Sequence, residues 1–213
     1  MHKTKQLKND QQLIVFIKAP IPGQCKTRLI PYMSAETASE FYMSLVRSCL
    51  DNIKSLDKTD IVIYTYPDLN HPFITEIKQK YARKIYLQKG DDLGERMHHA
   101  LQHSLKSYSK AVLIGTDCPI MDKDYIEQAF NQLDKHEMVY GPSEDGGYVL
   151  VGATQVSDTV FSNIDWGTDK VLEQSLQNIN ATNYNVNILA TLWDIDTPED
   201  YIKYQQIHIK ESA

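Results

Sequence analysis

The chain has 213 residues, 42% of them hydrophobic and 23% charged, which suits one large α/β domain or two small ones. Its formal net charge of −6 disfavours nucleic acid as a partner, although local cations or a divalent metal can still admit a phosphorylated small molecule to one cleft. Three cysteines without CxxC spacing, and no apolar run near the ~18 residues of a membrane span, lead us to expect a reducing, cytoplasmic setting.

The polar start MHKTKQLKND has no apolar h-region, so residues 1–12 read as a disordered lead into a single domain over 13–209. LIVFI (13–17) is the first of four short apolar runs expected as strands buried on both faces; DIVIYTY (60–66), KIYLQ (84–88) and AVLIG (111–115) are the others. The loop after the first run, 18–31, holds three prolines and a glycine and presents Lys26, Thr27 and Arg28 in succession. Two cations and a hydroxyl on a stiff loop beyond a buried strand suit phosphate oxygens; the alternative is a solvated surface turn. It is not a Walker A loop, which would need glycine where Pro20 and Cys25 stand.

Residues 34–56 have helical periodicity, with Ser34 as N-cap and Glu36 in the first turn; 72–81 and 93–108 are two further helices. On the last of these, His99 and His103 are four apart, as metal-binding pairs often are, but without a third ligand they read better as helix surface. The fourth strand delivers Gly115, Thr116 and Asp117, and Pro119 then stops further pairing. Asp117 there either reaches a Mg²⁺ or Mn²⁺ ion in the cleft or caps the local turn. Cys118, with no evident His partner, reads as a packing residue.

Strict alternation of strand and helix to about residue 135 predicts a mostly parallel sheet with helices on both sides. MVYGP and GYVLVGA then read as strands joined by the turn SEDG, followed by a helix near 168–180. A strand is expected through NILATLWDID, and a helix from Thr197, where cap, Pro198 and two acids form a helix start. On that strand Asp194 and Asp196 share one face, which either adds metal oxygens or favours the helix N-terminus. Ligands in open α/β sheets sit beyond the carboxyl ends of the strands, where these loops gather.

FIKAPIPGQCKTRLIP, GDDLGERM, LIGTDCP, GPSEDGGYVLVG, DWGTDKVL and DIDTPED, in this order, resemble a bacterial family of small GT-A-fold transferases (DUF2064) over residues 13–203. More distantly the chain is similar to 2-phospholactate and molybdenum-cofactor guanylyltransferases. The resemblance implies a GT-A α/β/α sandwich with a mixed, mostly parallel sheet. It implies a nucleotide sugar, or a nucleoside triphosphate, as donor and a small molecule as acceptor, with Mg²⁺ or Mn²⁺. Lys18, Pro20, Lys26, Thr27, Arg28 and Thr116 would face phosphates, and Gly94 and Arg96 of DLGERM the nucleoside. Asp117 stands where glycosyltransferases carry DxD, here Thr-Asp-Cys, and Asp196, with Asp194 beside it, matches the opposing metal ligand. Glu144, Asp145, Gly146 and Gly147 would meet the transferred group, with Asp145 as general base and the glycines admitting close approach. Trp166 would stack on a ring or, alternatively, fill the core. Three functions follow: glycosyl transfer first, nucleotidyl transfer second, a non-catalytic nucleotide-binding module third.

Overall fold

In the computed structural model, residues 10–81 and 84–211 are described, with side chains as far as Ile207. Strands β1 (Gln11–Lys18), β2 (Thr59–Tyr66), β3 (Lys84–Leu87), β4 (Lys110–Ile114), β5 (Met138–Pro142), β6 (Tyr148–Ala153) and β7 (Val186–Ile188) form one sheet. Its order is β3-β2-β1-β4-β6-β5-β7. All pairings are parallel except those of β6, which runs antiparallel to both β4 and β5. This is the expected α/β architecture, with its irregularity confined to the second half.

Alternate residues of each strand feed opposite faces. Leu13, Val15 and Ile17 pack with α1 (Ala35–Ile53), α2 (Pro72–Tyr81) and α4 (Lys123–Gln132); Ile14, Val62 and Leu113 pack with α3 (Leu93–Leu105) and α5 (Val171–Asn180). The last helix, α6 (Pro198–Glu211), lies over α1 through Trp193, Ile195 and Leu45, with Phe41 edge-on to Tyr201. Ser34 caps α1 by accepting from the Thr37 amide at 3.1 Å, as its sequence predicts. No helix among the described residues is long and apolar enough to cross a membrane.

Three expectations are corrected. Residues 1–9 of the supposed disordered lead lie outside the described residues, but Gln11 and Gln12 are already sheet, pairing with Thr59 and Asp60 on one side and Lys110 and Ala111 on the other. Strand β3 is not buried on both faces: it is the sheet edge, and Tyr86 and Leu87 are exposed. The strand expected through 187–196 ends at Ile188, leaving one isolated bridge between Ser143 and Leu192. Residues 189–196 leave the sheet because Trp193 and Ile195 turn to the α1–α6 contact instead.

Candidate active site

The loops after β1 and β4 and the segment before α6 meet beyond the carboxyl ends of the parallel strands. Two of them are joined directly, the Ile195 amide donating to the Asp117 carbonyl at 3.0 Å. The β1 loop leaves the sheet at Ala19, whose amide still reaches the Tyr66 carbonyl, and is pinned where Ser39 Oγ donates to the Pro20 carbonyl at 2.7 Å. Lys26 then adopts a left-handed backbone (φ 46°), which turns its side chain inward at the start of the short 3-10 turn Thr27–Leu29.

That side chain is only 3% exposed, and it holds the site together. Lys26 Nζ lies 3.1 Å from Asp117 Oδ1 and 3.2 Å from Asp196 Oδ1, and it also donates to the Ile195 carbonyl. Burial by itself would push this ammonium down, but Asp117 and Asp196 outweigh it and hold the group above the ordinary lysine value. The other Asp196 oxygen meets Arg28, at 3.1 Å, on a guanidinium that is half exposed. Asp117 Oδ1 is buried without a hydrogen-bond partner, so the Lys26 charge is what compensates it. The two acids expected to face each other across a metal therefore do converge, with Lys26 between them.

Oxygens of Asp145, Asp194 and Asp196 lie within 4.8 Å of one another. Asp194 is pushed up to about 7 by burial and by repulsion from Asp145, Asp196 and Asp117. A compact, all-oxygen set carrying this much mutual repulsion fits a hard divalent cation such as Mg²⁺ or Mn²⁺. Asp145 reaches it from the β5–β6 turn, where its Oδ1 accepts from Ser143 Oγ and, at 2.9 Å, from the Gly147 amide. Asp117, held by Lys26, is not a member of this group.

Two cavities open on the acids. The larger, about 440 Å³, runs between the β1 and β4 ends and α3, and includes Lys18, Tyr66, Gln88, Arg96, Thr116 and Asp194. In its wall the Arg96 guanidinium lies over the Tyr66 ring, 3.7 Å from its centroid, anchored by the Gly90 and Asp91 carbonyls at 3.0 and 3.2 Å. The smaller, about 240 Å³, is lined by Lys26, Thr27, Arg28 and Asp196. Lys18, Tyr42 and Asp117 border both, so the two form one continuous basin.

Of the residues singled out from the sequence, Lys18, Lys26, Thr27, Arg28, Arg96, Thr116, Asp117, Asp194 and Asp196 line this basin. Pro20 shapes the loop from a buried position behind it. Gly94, Gly146 and Trp166 make packing contacts outside it, and Glu144 is an exposed ion-pair partner. A Cβ on Gly94 would meet Trp166 at 2.6 Å, so that glycine admits the indole rather than a nucleoside. Gly146, at φ +88°, lies against the Asp169 carbonyl, 2.2 Å from where a Cβ would stand, and locks the turn onto the start of α5. The Glu144 carboxylate points to Lys203 on α6, at 3.3 Å. Trp166 meets Tyr148 edge-on, 6.4 Å between centroids, and borders neither cavity. Cys118 is buried and pushed up to about 12, consistent with packing.

Tyr42, Tyr66 and Gln88 are basin residues that sequence reasoning did not find. Tyr42 sits on the buried stripe of α1 like any core aromatic; the signal that it differs, the Lys18 amide donating to its hydroxyl at 2.8 Å, is tertiary. Gln88 directly follows an exposed edge strand, and a polar residue at a strand's carboxyl end was the one cue available.

The fold is shared with known proteins. A protein from Desulfovibrio desulfuricans G20, provisionally described as a nucleotide-diphospho-sugar transferase, has a crystal structure that superposes with a TM-score of 0.84 at 30% identity, over 93% of this chain and 87% of that one. The chain is also 25% identical to 2-phospho-L-lactate guanylyltransferase of Methanocaldococcus jannaschii, over 88% of this chain and 79% of that protein. It is 22% identical to the enzyme of that name from Methanobrevibacter ruminantium, of whose length it spans 56%. Residues 49–168 match the family model described as "Uncharacterized protein conserved in bacteria (DUF2064)". With over half its length in that match, the chain belongs to the DUF2064 family and has the fold of nucleotide-diphospho-sugar transferases.

Proposed function

We propose that the protein transfers a glycosyl group from a nucleotide-diphosphate sugar to a small hydroxylated acceptor. The observation that carries this is the charge state of the smaller cavity. Lys26 is already committed to Asp117 and Asp196, and Arg28 to Asp196, so few charges are left for a long polyphosphate. That balance suits a diphosphate better than a triphosphate.

In this reading the nucleoside occupies the larger cavity, its planar base against the Arg96–Tyr66 platform, and the diphosphate extends past Lys18 toward Lys26 and Arg28. Negative charge growing on the departing diphosphate would then develop beside preorganised cations, where stabilisation is most effective. Asp145, Asp194 and Asp196 would hold a divalent ion, which supplies Lewis-acid stabilisation of the phosphoryl oxygens. Asp145 has a competing role as general base, because it is the exposed member and its Oδ1 alone is held by the turn.

Nucleotidyl transfer, with a phosphorylated acceptor attacking a triphosphate, is the second reading, and the guanylyltransferase likeness favours it. Products separate the two. We expect incubation with a panel of nucleotide sugars and Mg²⁺ or Mn²⁺ to release nucleoside diphosphate slowly to water and faster with the right acceptor. Pyrophosphate release from a nucleoside triphosphate, with every nucleotide sugar inert, would replace our reading with the second. For Asp145→Asn, weakened metal binding marks a ligand, whereas intact metal binding with a fall in kcat marks the base.

A further inference from the structure

The paired histidines of α3 are exposed on its surface, as expected, and they border a cleft. His99 and His103, with Lys89 and Lys106, border a separate cleft of about 330 Å³ between α3 and the edge of the sheet, whose other walls include Tyr64 and Tyr86. Among the described residues no carboxylate lines this cleft, although the chain as a whole carries a formal charge of −6. The rings are ordered around it: Tyr64 and Tyr86 lie 5.3 Å apart at 42°, and Tyr86 meets His103 edge-on at 5.4 Å.

The imidazole of His103 is held in place. Its Nδ1 is 2.6 Å from the hydroxyl of Tyr64, a side chain only 6% exposed. Burial raises the Tyr64 phenol to about 12, so it stays protonated beside Nδ1, and the His103 tautomer sets which of the two donates. That bond occupies Nδ1, one of the two ring nitrogens a metal could use. Zinc is disfavoured for a second reason: among the described residues the one group of three or more acid, His or Cys side chains placed to hold an ion is the aspartate set of the active site.

We propose that this cleft is a second binding site, for a small aromatic anion whose ring lies among Tyr64, Tyr86 and His103 while its phosphate or carboxylate meets Lys89, Lys106 and the imidazoles. Charge and ring recognition both come from residues outside the active-site basin. Helix α3 serves the two separately, turning Arg96 and Met97 to the basin and His99 and His103, with Lys106 at its C-cap, to this cleft. The inference does not depend on which transfer reaction the basin performs.

The test is a titration of the full chain with phenyl phosphate, benzoate, inorganic phosphate and benzyl alcohol, followed through the imidazole NMR resonances of His99 and His103. Both aromatic anions should move these resonances and bind at least ten times more tightly than inorganic phosphate or benzyl alcohol. The double variant Lys89→Glu/Lys106→Glu changes two exposed side chains, so it should fold as wild type and weaken the aromatic anions at least tenfold. Tyr64→Phe should weaken them less, and should change the tautomer signature of His103. Unmoved histidine resonances, equal binding of benzyl alcohol, equal binding of inorganic phosphate, or unchanged affinity in the double variant would each overturn the proposal.

Discussion

At the scale of single residues, four carboxylates of the site meet two ion-pairing cations, Lys26 and Arg28. Lys26 is the centre of that arrangement, because its buried ammonium neutralises two acids at once. Replacing it by Met leaves Asp117 uncompensated and Asp196 paired with Arg28 alone, and we expect a loss of about 3–5 kcal/mol in chemical denaturation of metal-free protein, partly restored by Mg²⁺ or Mn²⁺. Asp194 works in the opposite direction. Its carboxyl titrates at about 7 in the folded chain, against an ordinary value of 3.8, so the unfolded chain loses the proton first. Its contribution to stability is therefore intact below about pH 4 and drains away as pH rises towards 7. Asp194→Asn should accordingly stabilise metal-free protein by about 1–3 kcal/mol at pH 8 and have little effect at pH 4, read from denaturation midpoints across that range. The acids and cations were all readable in the sequence as residue types on three loops and the β5–β6 turn. Their partners were not: that Lys26 would turn inward onto Asp117 and Asp196 follows from a left-handed backbone at residue 26, which a Cys-Lys-Thr sequence does not announce.

At the scale of elements, two local devices position the acids. The start of α6 is a reciprocal cap, the Asp200 carboxylate accepting from the Thr197 amide at 2.8 Å and the Asp196 amide at 3.1 Å, while Thr197 Oγ1 accepts from the Asp200 amide at 3.3 Å. Asp200 thereby orients the backbone that carries Asp196. Thr197→Ala should cost about 1 kcal/mol, measured as a shift in the unfolding midpoint. The β5–β6 turn is the second device. Gly146→Ala combines an unfavourable φ with a collision against Asp169, and a loss of about 2–4 kcal/mol is expected together with weaker metal binding through Asp145. Elements with a periodic apolar face or a cap were readable in advance: β1, β2, α1, and the α6 start at Thr197-Pro198. The failures share a cause. KIYLQ has the composition of a buried strand but lies at the edge, and NILATLWDID has the pattern of a strand but spends Trp193 and Ile195 on α6. Composition records what a segment can bury, not which neighbour it finds.

At the scale of the whole molecule, the topology explains why such distant residues meet. The β1 and β4 ends are adjacent because these strands pair in parallel, and the segment from Trp193 to Asp196 returns to them because α6 packs on α1. A basin bordered by nucleoside-sized space on one side and cations on the other then requires only that Asp117, Asp194 and Asp196 line it, with Asp145 beside the last two. The central claim is that Asp145, Asp194 and Asp196 bind a divalent ion next to a bound nucleotide diphosphate. The most direct measurement is a Mn²⁺ titration followed by electron paramagnetic resonance, with and without nucleoside diphosphate, in wild type and in Asp194→Asn/Asp196→Asn. We predict one Mn²⁺ site per chain, tightened by the nucleotide and weakened at least tenfold by the double substitution. Equal Mn²⁺ affinity in the two proteins, with no response to nucleotide, would contradict the account.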